Sequence, residues 1–469
     1  MEEGGAEFNS RVPGMVWPAL PDTLGGQLAT LLYQLEQSQW WPAETLREHQ
    51  VRQLRALCDH AATTVPYYRR RWSESGWSWA AGPALDPDHW AQMPLLTRQE
   101  LADYGAEIRS EAPPASHGAT NESQTSGSTG QPVRYLSTGL TRLMWMALTL
   151  RHHLWHRYDF SAKLCAIRPG HGAVSASEAK SADWGSPVNR LFRSGPGAVI
   201  DCRQDAQVLV GWVREHDPAY LVSLPSTVQA MAELCLERGI RFNSLHHVCT
   251  YAEMLKPETR EICRAAWDVP IIDMYSCQEA GYIALQCPQC EAYHVQSESL
   301  LVEVLDESGR ACEPGQIGRV VITTLHNFAS PLIRYELLDY VEVGEPCACG
   351  RGLPVIRRIM GRQRNLITLP DGRRYWPVLY ASAWSGIAPI RQLQLIQKTS
   401  SHFVARVVMD RPLADEEQTR LTKVLRESLG YPFSFTFERR TELIRGRNGK
   451  FESIFSEIGR RAAMETQPA

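Results

Sequence analysis

Between Lys163 and Gly281 short apolar runs alternate with helix-like segments, in the order KLCAIRPG, AYLVSLPS, TVQAMAELCLERG, HHVCTYAEML, KPETREICRAAWD, VPIIDMYSCQEAG. The apolar runs have the length of buried strands, and the segments between them carry apolar residues at helical spacing. Strand, crossover helix and strand in regular succession dictate a largely parallel sheet covered by helices, so the fold class is α/β. The flanks have a different texture. Upstream, WPAETLREHQVRQLRALCDHAATTVPYYRRRW predicts a helix that Pro66 ends, and PLLTRQELADY predicts another, with Thr97 as N-cap and Glu100 completing a capping box. GLTRLMWMALTLRHHLWHRY predicts a third helix, with His152, His153 and His156 at the end where the dipole favours them.

Downstream, LLVEVLDESGRACEPGQIGRVVITTL predicts two strands joined by a polar turn. Past RIMGRQRNLI, a last segment of about a hundred residues predicts strand, strand, helix and strand, a small α+β unit. The expected division is 1–361 and 362–469, a large N-terminal α/β domain with layered sheets followed by a small α+β domain.

Charge and composition exclude several partners. The chain has a net charge of −3 and no long basic run, so neither nucleic acid nor a membrane surface is an expected partner. The apolar stretch LMWMALTL is too short to span a bilayer, and MEEGGAEF lacks the pattern of a signal peptide, which predicts a cytoplasmic protein. Of the twelve cysteines, Cys58, Cys165, Cys202, Cys235, Cys249, Cys263, Cys277 and Cys312 are isolated and read as reduced thiols. The other four come in pairs. CPQC supplies Cys287 and Cys290, His294 follows, and CACG adds Cys347 and Cys349 about sixty residues on. Short spacings aim two thiolates at one point, so four of these five residues predict a structural, tetrahedral zinc site that pins two distant loops.

The stretch TSGSTGQPVRY crowds Thr125, Ser126, Gly127, Ser128, Thr129 and Gly130 together. Glycines let backbone N–H groups approach an anion, and the hydroxyls add donors suited to phosphate oxygens. The Gly-Lys-Ser/Thr ending of the nucleoside-triphosphatase P-loop is missing, so that assignment fails. Taken alone, the loop fits an anion cradle and an empty surface turn equally well.

With YAEM, MYSCQEAG, PLIRYELLDY, RIMGR and RGRNGKFESI in that order, the chain resembles the adenylate-forming, acyl-activating enzymes, in their phenylacetate-coenzyme A ligase-like branch, from about Pro94 to Ile454. The resemblance implies that Thr125 to Gly130 hold the ATP phosphates, with Gln131 where many relatives carry lysine. It implies further that Glu253 flanks the adenine, that Tyr275 stacks on it beside Ser276, and that Glu279 binds Mg2+. Leu338 stands where glycine is usual; Asp339 takes the ribose hydroxyls; Arg362 reaches ribose and phosphate, and Arg364 falls at the hinge position. Lys450 becomes the catalytic lysine on a mobile C-terminal domain, and the cysteine cluster is expected beside the site.

The implied activity is ATP-dependent activation of a carboxylic acid to an acyl-adenylate, then transfer to a thiol. Coenzyme A is the simplest acceptor and an aryl or arylacetic acid the simplest substrate. A carrier-protein thiol, a sulfur carrier or an amine would serve the same intermediate. A non-catalytic, zinc-stabilised nucleotide-binding protein and a phosphotransferase releasing ADP stay open at this stage. A homodimer is a further expectation of the resemblance.

Overall fold

The computed structural model describes residues 7–79, 86–124, 133–169, 179–377, 381–384, 386–443 and 451–458. They fall into two compact units, one within 1–337 and 341–359, the other within 338–340 and 360–469.

The first unit contains the predicted parallel core. Gly197–Asp201, Leu164–Arg168, Tyr220–Ser223, His247–Tyr251 and Ile271–Cys277 lie side by side in that order, each parallel to the next. Both faces of these strands are covered, which is why their sequences read as near-continuous apolar runs rather than alternating ones. The covering helices Ala206–His216, Pro225–Arg238 and Pro257–Trp267 bury Val213, Val228, Met231 and Cys263 against Ile167, Leu221 and Val248. Each fully buried aliphatic side chain contributes roughly 1.5–3 kcal/mol relative to exposure. Pro225 and Pro257 open their helices, where a missing N–H costs nothing.

After Cys277 the direction reverses. Gly281–Gln286 returns antiparallel to Ile271–Cys277 and is followed by Tyr293–Val295, also antiparallel, so the parallel core continues into one twelve-stranded sheet. The two strands expected downstream are Leu300–Leu305 and Ile317–Thr324, paired antiparallel in full register. Upstream, Pro66 does more than end a helix: Ala43–Thr64 stops before it and Pro66–Ser75 begins on it. The Thr97 capping box is present, with Glu100 closing it over the helix Arg98–Asp103.

The second unit has the expected strands Gln392–Thr399 and His402–Val408, helix Asp415–Leu429 and strand Ser434–Arg440. Leu421, Leu425 and Leu429 pack with Leu395, Phe403 and Phe433. Three strands among this unit's described residues were not expected, the short antiparallel pair Ile367–Thr368 and Arg374–Tyr375 and a third near the C-terminus. Ile454–Ser456, the tail of RGRNGKFESI, adds to the sheet parallel to Gln392–Thr399 and is too short to give a periodic signal.

Candidate active site

In an open parallel sheet, ligands bind outside the carboxyl ends of the strands. Here those ends carry Glu253, two residues past His247–Tyr251, and Tyr275 and Ser276 within Ile271–Cys277. Getting Glu253 into place strains the backbone: Ala252 has φ 67°, a left-handed conformation costly for a side chain with Cβ. The Glu253 carboxylate then accepts from the Ser226 N–H at 3.0 Å, on the first turn of the helix that begins at Pro225. Ala252→Gly should raise unfolding free energy by about 1 kcal/mol in urea melts; an unchanged or lowered midpoint would mean that the site is not strained.

Tyr275 is buried, and the pairing with Gly281–Gln286 slips between Tyr275 and Ser276, a bulge that re-aims the following side chains. Glu279 comes next, in the turn. Its side chain is only 7% exposed and meets Arg98 Nη1 at 3.1 Å. Arg98 also donates to the Tyr335 hydroxyl at 3.4 Å. Sequence reading missed Arg98. The available signal was electrostatic, a cation on the first turn of a helix where the dipole favours an acid.

Thr125, Ser126, Gly127, Ser128, Thr129, Gly130 and Gln131 lie outside the described residues. The roots of their loop are described. Asn121–Gln124 pairs antiparallel with Arg134–Ser137, and the Tyr135 hydroxyl donates to the Gln278 carbonyl, next to Glu279. Burial first, and then the Glu279 carboxylate, push the Tyr135 phenol up to about 12, so it remains a donor at neutral pH. On the other side the Leu136 N–H donates to Ser330 Oγ at 3.0 Å.

In the second unit Leu338 has φ 61°, a left-handed conformation that favours glycine, the residue the resemblance implies at this position. Asp339 follows and lies 3.5 Å from Arg362 Nε. Lys450 lies outside the described residues. Among the described ones, Glu452 forms an ion pair with Arg364, and its carbonyl accepts from Gln394 Nε2 at 2.9 Å.

The cysteine pairs converge. One donor atom each from Cys287, His294, Cys347 and Cys349 lies within 4.8 Å of every other. Cys287 and Cys347 are 3.8 Å apart, and Cys349 is 3.3 Å from His294 Nε2. With a zinc–sulfur bond of about 2.3 Å, the edge of a tetrahedron is about 3.8 Å, so the donors fit zinc. Burial, then Arg351, push His294 down to about 4, which leaves a neutral imidazole suited to ligation. Cys290 is exposed, 3.8 Å from Cys347 and outside the four-atom group.

The cluster is not beside Tyr275 and Glu279, where the resemblance led us to expect it. Because Gly281–Gln286 runs antiparallel to Ile271–Cys277, Cys287 emerges near Ile272, at the opposite end of the strands from Tyr275 and Glu279. A close approach locks the second loop in place, since a Cβ on Gly352 would sit 1.8 Å from the Trp41 carbonyl.

No family model matches the chain. It is 24% identical over 357 residues to a phenylacetate-coenzyme A ligase of Thermus thermophilus, covering 70% of this chain and 73% of that protein. A phenylacetate-coenzyme A ligase of Pseudomonas putida is 23% identical over 355 residues, covering 70% and 72%. Among solved structures, 2-hydroxyisobutyryl-CoA ligase in the postadenylation state superposes with a TM-score of 0.69 at 18% identity, covering 92% of this chain and 94% of that one. In sequence the chain is similar to these phenylacetate-coenzyme A ligases, and in fold to 2-hydroxyisobutyryl-CoA ligase.

Proposed function

We propose that this protein is an AMP-forming acid–thiol ligase that converts a carboxylic acid and ATP to an acyl-adenylate and passes the acyl group to coenzyme A. The observation that carries this reading is the hydrogen bond from Tyr135 to the Gln278 carbonyl. It ties the root of the Ser/Thr/Gly loop, at Tyr135, to the turn that holds Glu279 and follows Tyr275, which supports a phosphate-binding role for the loop and an adenine-binding role for Tyr275 at one end of the parallel strands.

In the first step the acid's carboxylate attacks the α-phosphorus of ATP and pyrophosphate leaves, a reaction governed by positioning and charge neutralisation. Thr125 to Gly130 cradle the β- and γ-phosphates, Tyr275 and Ser276 line the adenine, and Glu253 orders the loop beside it. Asp339 accepts both ribose hydroxyls, with Arg362 next to it. Lys450 places an ammonium between the carboxylate and the α-phosphate as charge develops. Glu279 is the donor for Mg2+, which when bound supplies charge to the phosphates and takes few protein ligands. Arg98, already paired with Glu279, holds that carboxylate in position.

In the second step the C-terminal domain, residues 362–469, rotates to withdraw Lys450 and admit the thiol. Cys287, His294, Cys347 and Cys349 hold zinc in a closed set that serves architecture rather than the reaction. We take an aryl or arylacetic acid as the substrate class; the names of the two sequence relatives, phenylacetate-coenzyme A ligases, support the arylacetic member. The chain has no helix, among its described residues, long and apolar enough to cross a membrane; we place the enzyme in the cytoplasm, where thiols stay reduced.

The test is incubation with Mg-ATP and a panel of aryl, arylacetic and aliphatic acids, with nucleotides resolved by mass spectrometry before and after adding coenzyme A. Acid-dependent AMP and acyl-AMP, then acyl-CoA, are expected. Release of ADP, or no AMP with any acid in the panel, would overturn the reading.

A further inference from the structure

A cavity of about 680 Å³ opens at the end of the parallel strands away from the nucleotide residues, large enough for a small organic ligand. Pro270 and Ile271 form part of its floor. Ile271 begins the strand whose other end carries Tyr275 to Cys277, so at about 3.3 Å per residue the two sites are roughly 20 Å apart. All the lining residues belong to the first unit.

The lining is cationic in a chain of net charge −3: Arg157, Arg260, Arg264 and Arg351 face Glu36 and Glu291. Two of the guanidinium groups are held in place. Arg260 donates to the Ile271 carbonyl at 2.6 Å and to Gln286 Oε1 at 2.8 Å. Arg351 is sandwiched between Trp40 and Trp155, 4.6 and 4.4 Å from the ring centres, and its Nε donates to Gln39. Arg157 and Arg264 are exposed and have no ion pair among the described residues. Apolar surface lies next to them: Trp40 is 47% exposed and Leu154 is 44% exposed.

Arg157 is also in the wrong place for fold stability. It follows the helix Gly139–Trp155 with φ 51°, its N–H bonded to the Leu154 carbonyl and the next N–H, of Tyr158, to that of His153. This is the Schellman arrangement, whose left-handed position glycine normally fills; Gly239 does so after Pro225–Arg238, at φ 63°. An arginine kept there costs stability, and its side chain points the cost toward a task elsewhere, since no hydrogen bond or ion pair among the described residues uses its guanidinium.

We propose that this cavity is a second binding site, distinct from the nucleotide site, for a small organic anion with a flat apolar body and one or two oxyanion groups. The paired and stacked guanidiniums of Arg260 and Arg351 provide a fixed cationic wall, Arg157 and Arg264 close on the oxyanion, and Trp40 and Leu154 cover the apolar face. Carboxylate and phosphate share this chemistry, so the probes separate them.

Calorimetric titration of the intact protein with isophthalate, phenyl phosphate and inorganic phosphate, each with and without saturating AMP, is the experiment. Binding of isophthalate or phenyl phosphate is expected, whichever is tighter identifying the oxyanion, with inorganic phosphate weaker and AMP without effect. Arg157→Gly should weaken binding by roughly tenfold or more while raising the melting temperature, and Arg264→Gln should weaken binding without the rise. The combination of greater stability and lost affinity is one that a purely structural arginine cannot give. The proposal is overturned by any of four results: no binding at about 5 mM probe, displacement by AMP, affinities unchanged in both variants, or a lower melting temperature for Arg157→Gly.

Discussion

Replacing Lys450 with alanine lowers the rate of acyl-adenylate formation by about 10²- to 10³-fold and leaves ATP affinity within about threefold, the signature of a charge that acts mainly in the transition state. The acid and the α-phosphate are both anionic, and attack brings them together; a cation between them is worth most at that moment and little when ATP binds alone. The fold should not register the loss. The chain beside Lys450 is held by the Arg364–Glu452 ion pair, by Gln394 on the Glu452 carbonyl and by Asn365 Nδ2 on the Ile454 carbonyl at 2.8 Å, none of which involves the lysine side chain. Single-turnover acyl-AMP formation, with ATP affinity from equilibrium dialysis, separates the two quantities. A near-normal rate in the alanine variant would remove Lys450 from the mechanism.

Removing one thiolate of the cysteine cluster has the other large effect, on stability. Cys347→Ser should abolish bound zinc and lower unfolding free energy by about 3–5 kcal/mol, in the range seen when a structural metal or buried charge partner is lost. Cys347 is the right position because its sulfur lies 3.8 Å from both Cys287 and Cys290. Cys290→Ser should keep one equivalent of zinc, as Cys290 stands outside the four-atom group. Elemental analysis and denaturant melts of the two variants decide the matter. If the metal content of Cys347→Ser stays at one equivalent, or if Cys290→Ser loses it, the ligand set is wrong. Activity per folded molecule should fall little in either variant, because the cluster and Glu279 lie at opposite ends of the strands.

Local pattern carried much of the fold. The alternation from Lys163 to Gly281 predicts the parallel core because each strand is buried on both faces, and Thr97 with Glu100 predicts a helix start because the two side chains satisfy each other's backbone. The convergence of Cys287, His294, Cys347 and Cys349 was legible because short spacings aim paired side chains at one point. What escaped depends on contacts far apart in sequence. Arg98 meets Glu279 across 181 positions, and no periodicity encodes that. Tyr293–Val295 has three residues, too few to alternate. Which end of the sheet the cluster occupies follows from one antiparallel return after Cys277, a matter of direction rather than composition. Left-handed backbone at Ala252 is equally hidden, since it is not the glycine or asparagine that announces it; at Leu338 only the resemblance, with glycine in that place, gave a signal.

The strand Tyr335–Val343 changes allegiance in its middle: residues 338–340 belong with the second unit while both flanks belong with the first. Tyr340 lies 5.1 Å from Trp376, ring centre to ring centre, inside that second unit. The chain therefore contributes to its smaller body from two separate places, and Asp339 reaches Arg362 from the earlier one. Exchanging the C-terminal segment for that of a relative at a single splice near Gly361 would leave the recipient with a foreign partner for its own aspartate. A chimera that transplanted residues 338–340 along with the tail would carry over Asp339 and Arg362 together.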